Sequence, residues 1–416
     1  MRRLHVYIEI QGKQRHVGVI AGENSENARF SYDKEYSLDL TCYPISIQLP
    51  FRDEAFSVEA TRNFFEGLLP EGFTRRCVAG WIHADETDYI TLLAALGKEC
   101  LGAIQILEEG MDIPNAGYQM LTNEQVQQLA REGASEAAEL VTKAHLSLTG
   151  ASGKVGLYYD PNKEKWYLPV GMAPSTHIVK QSHVRLDAIV TNEQLCLQTA
   201  KNLGIEVPES FVVNVGNGRD EDVLFATKRY DRLCSDNVEK IDGFNVPYRL
   251  HQEDFSQALG ISANRKYERN YILRRYSTNP IKEQLKLWDI CVYDYLIGNT
   301  DNHIKNVSLL YGADMSSIKL APAYDIVSTM IYAGSTSDMA FSIGHEYDIH
   351  KINRESFRQE AARVGLGERV AMQHYDRLAD RIDEALDKAC ETLVSQGFEQ
   401  AENIKERILF VRKEVK

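Results

Sequence analysis

Residues 296–306 read LIGNTDNHIKN and crowd polar side chains into one short loop. The loop follows a segment whose apolar residues recur at the helical period, and Gly298 marks the predicted end of that helix. Asp301 and Asn306 have the spacing D-x-x-x-x-N of the protein-kinase catalytic loop, in which the Asp accepts a hydroxyl proton and the Asn binds magnesium. The stretch therefore predicts a phosphoryl-transfer loop, although an Asx-rich helix end has a similar composition.

A second acidic residue, which a phosphoryl-transfer site requires, follows this loop. Asp325 comes after two apolar segments that are typical of strands, Val307–Tyr311 and Ile318–Ala321. Its carboxylate would supply a second magnesium ligand beside Asn306, because hard cations near nucleotide phosphates are bound by oxygen ligands. The alternative for Asp325 is an aspartate that starts a turn.

A lysine that could contact nucleotide phosphates lies in THIVK, residues 176–180. The alternating pattern predicts a strand in which Ile178 and Lys180 share one face, and the wording is similar to the V-A-I-K strand of kinases. In those enzymes the lysine pairs with the phosphates and with a glutamate of the following helix, for which Glu193 is the candidate here. The alternative for Lys180 is a solvated charge at the end of a strand.

A run of small residues, SLTGASGKVGL, occupies residues 147–157 and leads into a predicted strand. Its backbone amides could form an anion-binding nest over phosphates. It is not a Walker A loop, because Gly150 and Gly153 are three residues apart rather than five. The alternative is an ordinary hairpin turn. The hydroxyl side chains of the run, each a candidate phosphorylation site, are Ser147, Thr149 and Ser152.

The composition argues against several classes of protein. The chain has 416 residues with 47 Lys plus Arg and 60 Asp plus Glu, and its formal charge of -13 disfavours direct binding to a nucleic-acid backbone. Charged residues interrupt every apolar stretch well before the length of a membrane span, so we expect no membrane helix and no signal peptide. The seven cysteines include no C-x-x-C pair, which predicts reduced thiols and a cytoplasmic location.

The hydrophobic periodicity divides the chain into four predicted parts. Residues 1–108 form a β-plus-helix subdomain, and residues 109–138 form a polar connector. Residues 139–253 form a nucleotide-binding lobe with the Gly-rich loop and the lysine strand. Residues 254–416 form a mostly helical lobe that contains the catalytic loop.

Local signals place elements within these parts. The sheet of the first part is expected to continue over Asp33–Leu40, and Ser57 is expected to cap a helix. Thr122 and Gln125 have the spacing of a capping box. Strands are predicted at residues 4–10 and 15–21 and at Lys154–Tyr159, Trp166–Val170, His177–Lys180, Phe211–Val215 and Val223–Lys228, and helices through residues 281–295 and 372–386.

Seven motifs stand in order along the chain. They are FFEGLLPEG at 64–72, SLTGASGK at 147–154, THIVK at 176–180, KRYDR at 228–232, RLHQEDFSQALG at 249–260, LIGNTDNHIKN at 296–306 and LAPAYDIVS at 320–328. Together they resemble the HipA family of serine/threonine kinase toxins. The resemblance runs from about residue 50 to residue 330, with a helical tail beyond it.

The resemblance implies an α+β, two-lobed, protein-kinase-like (HipA-like) fold, with a small β-containing N-terminal subdomain and nucleotide lobe and a mostly helical C-terminal lobe. It implies an ATP-dependent serine/threonine protein kinase that uses Mg²⁺ and is the toxin of a toxin–antitoxin pair. Asp301 would be the catalytic base, and Asn306 and Asp325 would bind the magnesium ion. The implied nucleotide contacts are Lys180 with its partner Glu193, then Lys154, Gly150, Ala151 and Ser152 of the loop, and Lys228 and Tyr230 at the adenine.

The resemblance also implies regulation and partners. Ser147 would be autophosphorylated, with Thr149 and Ser152 as alternatives, and the phosphate would expel the loop and inactivate the enzyme. A small helix-turn-helix antitoxin (HipB-like) would contact operator DNA on behalf of the chain. The substrate would be a translation component such as an aminoacyl-tRNA synthetase. The alternative is a catalytically silent kinase-fold scaffold for a DNA-binding partner, against which the complete set of predicted catalytic and magnesium residues argues.

Overall fold

A computed structural model describes most of the chain, and contacts divide it into two units. The described residues are 1–111, 114–132, 154–182, 186–234, 240–261 and 269–415. Unit 1 contains residues 1–181, 214–262 and 309–318, and unit 2 contains residues 182–213, 263–308 and 319–416. Because the chain enters each unit three times, the units do not test the predicted boundaries at 108, 138 and 253, which stay a prediction.

An antiparallel sheet begins unit 1. Its strands are β1 (Arg2–Ile10), β2 (Lys13–Gly22), β3 (Arg29–Tyr32) and β4 (Ile104–Glu108), in the order β3-β2-β1-β4. Alternate residues of β1 are buried, which is the pattern of a strand with one face on a core. The predicted strands at 4–10 and 15–21 are confirmed.

The predicted continuation of this sheet over Asp33–Leu40 is wrong. The sheet stops at Tyr32, and α1 (Lys34–Leu38) follows. The Asp33 carboxylate accepts a hydrogen bond from the backbone N–H of Glu35 at 2.8 Å, so it caps this short helix. A cap of this kind satisfies a free backbone N–H group locally and outweighs a weak alternating pattern.

Three helices then pack in unit 1: α2 (Val58–Phe65), α3 (Gly72–Trp81) and α4 (Tyr89–Leu96). The Ser57 hydroxyl accepts a hydrogen bond from the N–H of Ala60 at 3.1 Å, as the predicted N-cap requires. The apolar residues of the FFEGLLPEG motif, Phe64, Phe65, Leu68 and Leu69, are all buried.

A larger sheet follows in unit 1. Its strands are β5 (Gly117–Met120), β6 (Lys154–Asp160), β7 (Lys165–Val170), β8 (His177–Gln181) and β10 (Val223–Lys228). They pair in the order β5-β7-β6-β8-β10. The strand β9 (Ser210–Asn214) comes between β8 and β10 in the chain. All five predicted strands of this region are confirmed to within two residues. β8 pairs residue by residue with β6 on one side and with β10 on the other. This register sets the positions of the candidate site residues on these strands.

The described part of the predicted connector, residues 109–138, contains secondary structure. It holds β5 and α5 (Asn123–Glu132), and α5 begins with a capping box. The N–H of Thr122 donates to Gln125 Oε1 at 2.9 Å, and the N–H of Gln125 donates to Thr122 Oγ1 at 3.2 Å. The predicted capping box is therefore confirmed.

Short elements complete unit 1 and lead into unit 2. They are β11 (Arg232–Leu233), β12 (Lys240–Ile241), β13 (Phe244–Asn245), β14 (Tyr248–Arg249), β15 (Gln252–Asp254), α7 (Phe255–Leu259), β16 (Ser308–Tyr311) and β17 (Ile318–Leu320).

Unit 2 is mostly helical. Its helices are α6 (Ile189–Asn202), α8 (Arg269–Tyr276), α9 (Pro280–Ile297), α10 (Arg354–Arg363), α11 (Glu368–Ser395) and α12 (Gln400–Val415), with a hairpin of β18 (Asp338–Ile343) and β19 (Glu346–Asp348). The predicted helices through 281–295 and 372–386 are confirmed as α9 and α11. No helix in the described ranges combines the length and apolar character that a membrane crossing requires.

Gly298 ends α9 and begins the polar loop. Its φ of +69° lies in the left-handed region, and its N–H donates back to Asp294 and Tyr295. A Cβ at this position would lie 2.9 Å from Val411 Cγ1 and 3.0 Å from Met330 Cβ. The residue therefore has to be glycine for two independent reasons, backbone conformation and close packing.

We predict that Gly298→Ala lowers the free energy of unfolding by more than the roughly 1–2 kcal/mol that a left-handed alanine costs by itself. The control is Gly204→Ala, because Gly204 has φ +83° but a Cβ there would have nothing within 4 Å. Urea unfolding of both variants measures the difference. Equal losses would contradict the packing part of this account.

Candidate active site

The polar loop after α9 is attached to the helix by a buried carboxylate. Asp294 is 2% exposed. Its carboxylate accepts a hydrogen bond from Asn299 Nδ2 at 2.9 Å and another from Asn302 Nδ2. The Asn299 side chain in turn accepts from the N–H of Asp301 at 3.1 Å. These bonds fix the loop backbone and leave the Asp301 side chain exposed, as a base that must reach a substrate requires.

Asn306 is hydrogen-bonded to the backbone of the predicted base. Its Nδ2 donates to the carbonyl of Asp301 at 3.1 Å, and its N–H donates to the carbonyl of His303 at 2.9 Å. Because the amide nitrogen is used in this way, the amide oxygen is the atom that remains for a metal ion. The structure thus brings together the two residues of the D-x-x-x-x-N spacing.

Tyr324 ties the segment of Asp325 to the same loop. Its hydroxyl donates to the carbonyl of Lys305 at 2.9 Å and lies 2.6 Å from the Ser308 hydroxyl. Asp325 itself is half-buried and has φ +58°, a left-handed conformation that aspartate tolerates better than most residues. Asp301 and Asn306 are therefore hydrogen-bonded to each other, and Tyr324 joins the segment of Asp325 to the same loop.

The chemistry of these side chains fits magnesium. Asn306 and Asp325 offer an amide oxygen and a carboxylate, which are hard oxygen ligands. Among the described residues there is no group of three or more His, Cys, Asp or Glu side chains that could hold a metal ion. Two protein ligands suit Mg²⁺, because this ion keeps several waters and takes its remaining ligands from phosphates.

Two lysines of unit 1 are neighbours on adjacent strands of the larger sheet. Lys154 of β6 is the register partner of Lys180 of β8, so both side chains lie on one face. The Lys180 ammonium is 5.5 Å from the centroid of the Phe225 ring, and the residue is 7% exposed. Both ammonium groups thus place positive charge on the same face of the sheet, and positive charge attracts phosphate groups.

The KRYDR segment has two faces. Lys228 is exposed, and the half-buried Tyr230 donates its hydroxyl to Gln252 Oε1. Arg229 and Asp231, by contrast, are both 2% exposed and point into unit 1. Lys228 and Tyr230, the residues predicted to meet the adenine, thus alternate with buried neighbours.

A network of buried charges holds the inner face of this segment. The Glu99 carboxylate accepts hydrogen bonds from Arg229 at 3.0 Å, from Arg232 at 2.6 Å and from Arg249 at 2.7 Å. Asp231 pairs with Arg229 at 2.7 Å and with Arg232 at 3.1 Å, and Glu9 pairs with Arg249 at 3.0 Å. Three carboxylates thus balance three guanidinium groups.

The pKa of Glu99 reflects the same network. Burial raises the pKa of this carboxyl, but the guanidinium groups of Arg232, Arg249 and Arg229 together outweigh burial and hold the pKa at about 2. Glu99 is not among the residues predicted from the sequence. Its signal was a charged pair, Lys98-Glu99, between two apolar segments. Asp294 was missed in the same way, as one acidic residue in the apolar end of a helix.

Glu193 and the Gly-rich loop complete the set of predicted site residues. Glu193 lies in α6 in unit 2 and is 4% exposed, and its pairing with Lys180 stays a prediction. The loop residues Ser147, Thr149, Gly150, Ala151 and Ser152 lie outside the described residues.

Two models of known protein families match most of the chain. The model of the HipA N-terminal domain matches residues 8–107, and the model of the HipA-like C-terminal domain matches residues 146–386. The second range contains every predicted site residue.

Individual relatives give the same result. The chain is 31% identical over 397 residues to “Putative kinase Y4mE” of Sinorhizobium fredii, covering 90% of each protein. It is 27% identical to the serine/threonine-protein kinase toxin HipA of Shewanella oneidensis, covering 83% of this chain and 80% of that one. A solved complex of Shewanella oneidensis HipA with HipB and operator DNA matches with a TM-score of 0.80 at 21% identity, over 99% of this chain and 96% of that chain. The α+β fold predicted from the sequence is thereby confirmed.

We predict that Glu99→Gln lowers the free energy of unfolding at neutral pH by about 3 kcal/mol, because it leaves buried guanidinium groups without their carboxylate. The folded-state pKa of about 2 lies below that of an unfolded glutamate. The stabilisation is therefore complete above the unfolded pKa and is lost as the pH falls toward 2.

Denaturant unfolding between pH 7 and pH 3 tests this, and the gap between wild type and variant should narrow as the pH falls. The control is Glu384→Gln, which breaks an exposed pair with Lys388 and should have no measurable effect. A gap that stays constant with pH would contradict the assigned cause.

Proposed function

This chain belongs to the HipA family, and on that premise we propose that it is an ATP-dependent serine/threonine protein kinase that acts as the toxin of a toxin–antitoxin pair. The observation that carries the proposal is the hydrogen-bonded loop of Asp301 and Asn306, to which Tyr324 joins the segment of Asp325. The relative from Shewanella oneidensis is named as a serine/threonine kinase toxin, which supports the same activity here.

Asp301 is the proposed base. Its exposed carboxylate would accept the proton of a substrate serine or threonine hydroxyl as that oxygen attacks the γ-phosphate. The buried Asp294 holds Asn299 and Asn302 on either side of it, so the carboxylate needs no rearrangement of the loop to meet the substrate. Because the carboxylate is already in position, less entropy is lost on reaching the transition state of phosphoryl transfer.

Asn306 and Asp325 would hold Mg²⁺ through the amide oxygen and the carboxylate. When bound, the ion neutralises charge that develops between the β- and γ-phosphates. Tyr324 keeps the two segments in register through Lys305 and Ser308. The role of the protein at this site is therefore to fix two oxygen ligands from separate parts of the chain.

The nucleotide would be bound through residues of unit 1. Lys154 and Lys180 share a face of the sheet, where their charges suit the phosphates. The backbone of the segment Lys228–Tyr230 would meet the adenine, and Gly150, Ala151 and Ser152 would cover the phosphates as a backbone nest. Glu193 would pair with Lys180, as the corresponding glutamate does in kinases.

Regulation would act through the Gly-rich loop, which contains Ser147. A phosphate on Ser147 adds about two negative charges next to the phosphates of ATP, so the loop would leave the site and the enzyme would be inactive. Thr149 and Ser152 are the alternative positions. Phosphopeptide mapping after incubation with ATP and magnesium distinguishes the three.

The proposed partner is a small helix-turn-helix antitoxin, because the solved relative stands in complex with HipB and operator DNA. The charge of -13 supports DNA contact through that partner rather than through this chain. The proposed substrate is a translation component such as an aminoacyl-tRNA synthetase. The seven cysteines, all thiols, suit a reducing compartment, so we propose a cytoplasmic location.

We predict that Asp301→Asn reduces phosphate incorporation at least about 100-fold, since general-base catalysis is worth this much or more. Thermal stability should be unchanged, because the side chain is exposed. Intact-mass spectrometry after incubation with ATP and magnesium measures the transfer. Asp380→Asn, an exposed aspartate of α11, is the control. Wild-type protein that gains no phosphate and binds no nucleotide would favour the silent scaffold instead.

We predict that Asp325→Asn weakens nucleotide affinity at least about 10-fold in magnesium but leaves the affinity in EDTA unchanged. Asparagine is chosen because it also tolerates a left-handed backbone, so the variant loses the charge without added strain. Calorimetric titration in the two buffers separates metal-dependent from direct binding, and Asp338→Asn, an exposed aspartate at the start of β18, is the control. An equal loss in EDTA would rule out a metal ligand.

A further inference from the structure

Two histidines of the N-terminal sheet lie against each other on the face that turns away from its core. His5 is on β1, and His16 is on the neighbouring strand β2. Atom Nδ1 of His5 is 3.1 Å from Nε2 of His16, and the ring centroids are 5.3 Å apart. The two side chains are 25% and 34% exposed, so solvent reaches both rings. Two imidazole nitrogens thus share one small and accessible space.

A carboxylate lies beside the outer nitrogen of each ring. Glu109 Oε1 is 3.9 Å from Nε2 of His5, and Asp33 Oδ2 is 3.7 Å from Nδ1 of His16. These negative charges favour a proton on the outer nitrogens. Because a neutral imidazole carries one N–H, a proton there leaves both inner nitrogens bare. Two bare nitrogens at this distance repel each other unless a cation lies beside them.

The four side chains form one row across the whole sheet. In the strand order β3-β2-β1-β4, the two histidines lie on the inner strands. Asp33 directly follows β3, and Glu109 directly follows β4. Asp33 uses Oδ1 to cap α1 and turns Oδ2 toward His16, while Glu109 also pairs with Arg3 at 3.7 Å. Each carboxylate is therefore held by a second contact besides the histidine.

The spacing of the inner nitrogens fits one transition-metal ion. Two imidazole nitrogens that bind one tetrahedral zinc ion at about 2.0–2.1 Å lie about 3.3–3.4 Å apart. The 3.1 Å between His5 and His16 reaches that value with a small rotation of the rings, which also turns both lone pairs toward a common point. A metal-bound histidine commonly donates its other N–H to a carboxylate, and Asp33 and Glu109 lie on that side.

We propose that His5 and His16 form a binding site for Zn²⁺ and that Asp33 and Glu109 position the two rings. Imidazole nitrogens suit zinc, whereas Mg²⁺ requires oxygen ligands. Two protein ligands are fewer than a structural zinc site uses, so waters complete the coordination. The ion would join β1 to β2 and, through the carboxylates, both outer strands, and would thereby stabilise the sheet. This site does not depend on the proposed kinase activity.

Calorimetric titration of the full chain with zinc chloride tests the proposal. Excess Mg²⁺ is present, so that sites built from oxygen ligands are already filled. We expect His5→Gln and His16→Gln each to weaken zinc binding at least about 10-fold, since even a lost partner of a metal ligand costs about 10–100-fold. His350→Gln, at an exposed histidine of unit 2, is the control. Wild-type affinity in both variants, or no zinc binding by the wild type, would overturn the proposal.

The melting temperature separates metal binding from a simple hydrogen bond between the two rings. Zinc should raise the melting temperature of the wild type saturably and leave that of His5→Gln and His16→Gln unchanged. Asp33→Asn keeps the cap of α1, because asparagine caps helices as well as aspartate does. It should weaken zinc binding and leave the melting temperature in EDTA unchanged. Variants that lose stability equally with and without zinc would show a hydrogen bond only and would overturn the proposal.

A further measurement uses unmodified protein and does not depend on whether a variant folds. Diethyl pyrocarbonate acylates neutral imidazole, and peptide mass spectrometry gives the rate at each histidine. Zinc should slow acylation of His5 and His16 and leave the rate at His350 unchanged, whereas Mg²⁺ should slow none of the three. Acylation of His5 and His16 at the same rate with and without zinc would place any zinc binding elsewhere and overturn the proposal.

Discussion

The carboxylate of Glu99, buried among three guanidinium groups, is the interaction on which the geometry of unit 1 depends. Its partners Arg229, Arg232 and Arg249 come from a part of the sequence far from Glu99, so the N-terminal sheet and the KRYDR segment cannot fold to their final positions separately. Buried ion pairs cost desolvation free energy, which further hydrogen bonds to the charged groups offset. Here backbone carbonyls of Cys100, Gly102 and Met172 accept further guanidinium hydrogen bonds.

Unit 2 uses a buried carboxylate for a similar purpose with a different partner. Asp294 holds its loop through the neutral amides of Asn299 and Asn302, whereas Glu99 is held by charged groups. In both cases the buried carboxylate fixes a backbone that also carries an exposed side chain. The exposed residues, Asp301 in one unit and Lys228 in the other, are among those for which we propose catalysis or nucleotide binding. The positions of the exposed residues are thus determined by buried carboxylates.

The sequence predicts the parts of this architecture that depend on local signals. The strand periods of β6, β7, β8 and β10, the capping box at Thr122 and the D-x-x-x-x-N spacing all involve neighbouring residues. The network of Glu99 and the register that places Lys154 opposite Lys180 join distant residues, and a single sequence has no local signal for such pairs. The error at Asp33–Leu40 has the opposite origin, because one capping carboxylate decided a segment whose alternation was weak.

The backbone conformation of Asp325 restricts how this site can change during evolution. With φ at +58°, the position accepts asparagine or glycine far more readily than alanine, valine or a larger residue. Both asparagine and glycine codons are one base change from those of aspartate, and both remove the carboxylate while keeping the turn. A descendant that retains the fold but has lost the proposed magnesium ligand is therefore accessible in a single mutational step. Descendants without this carboxylate should carry Asn or Gly at this position more often than any other residue.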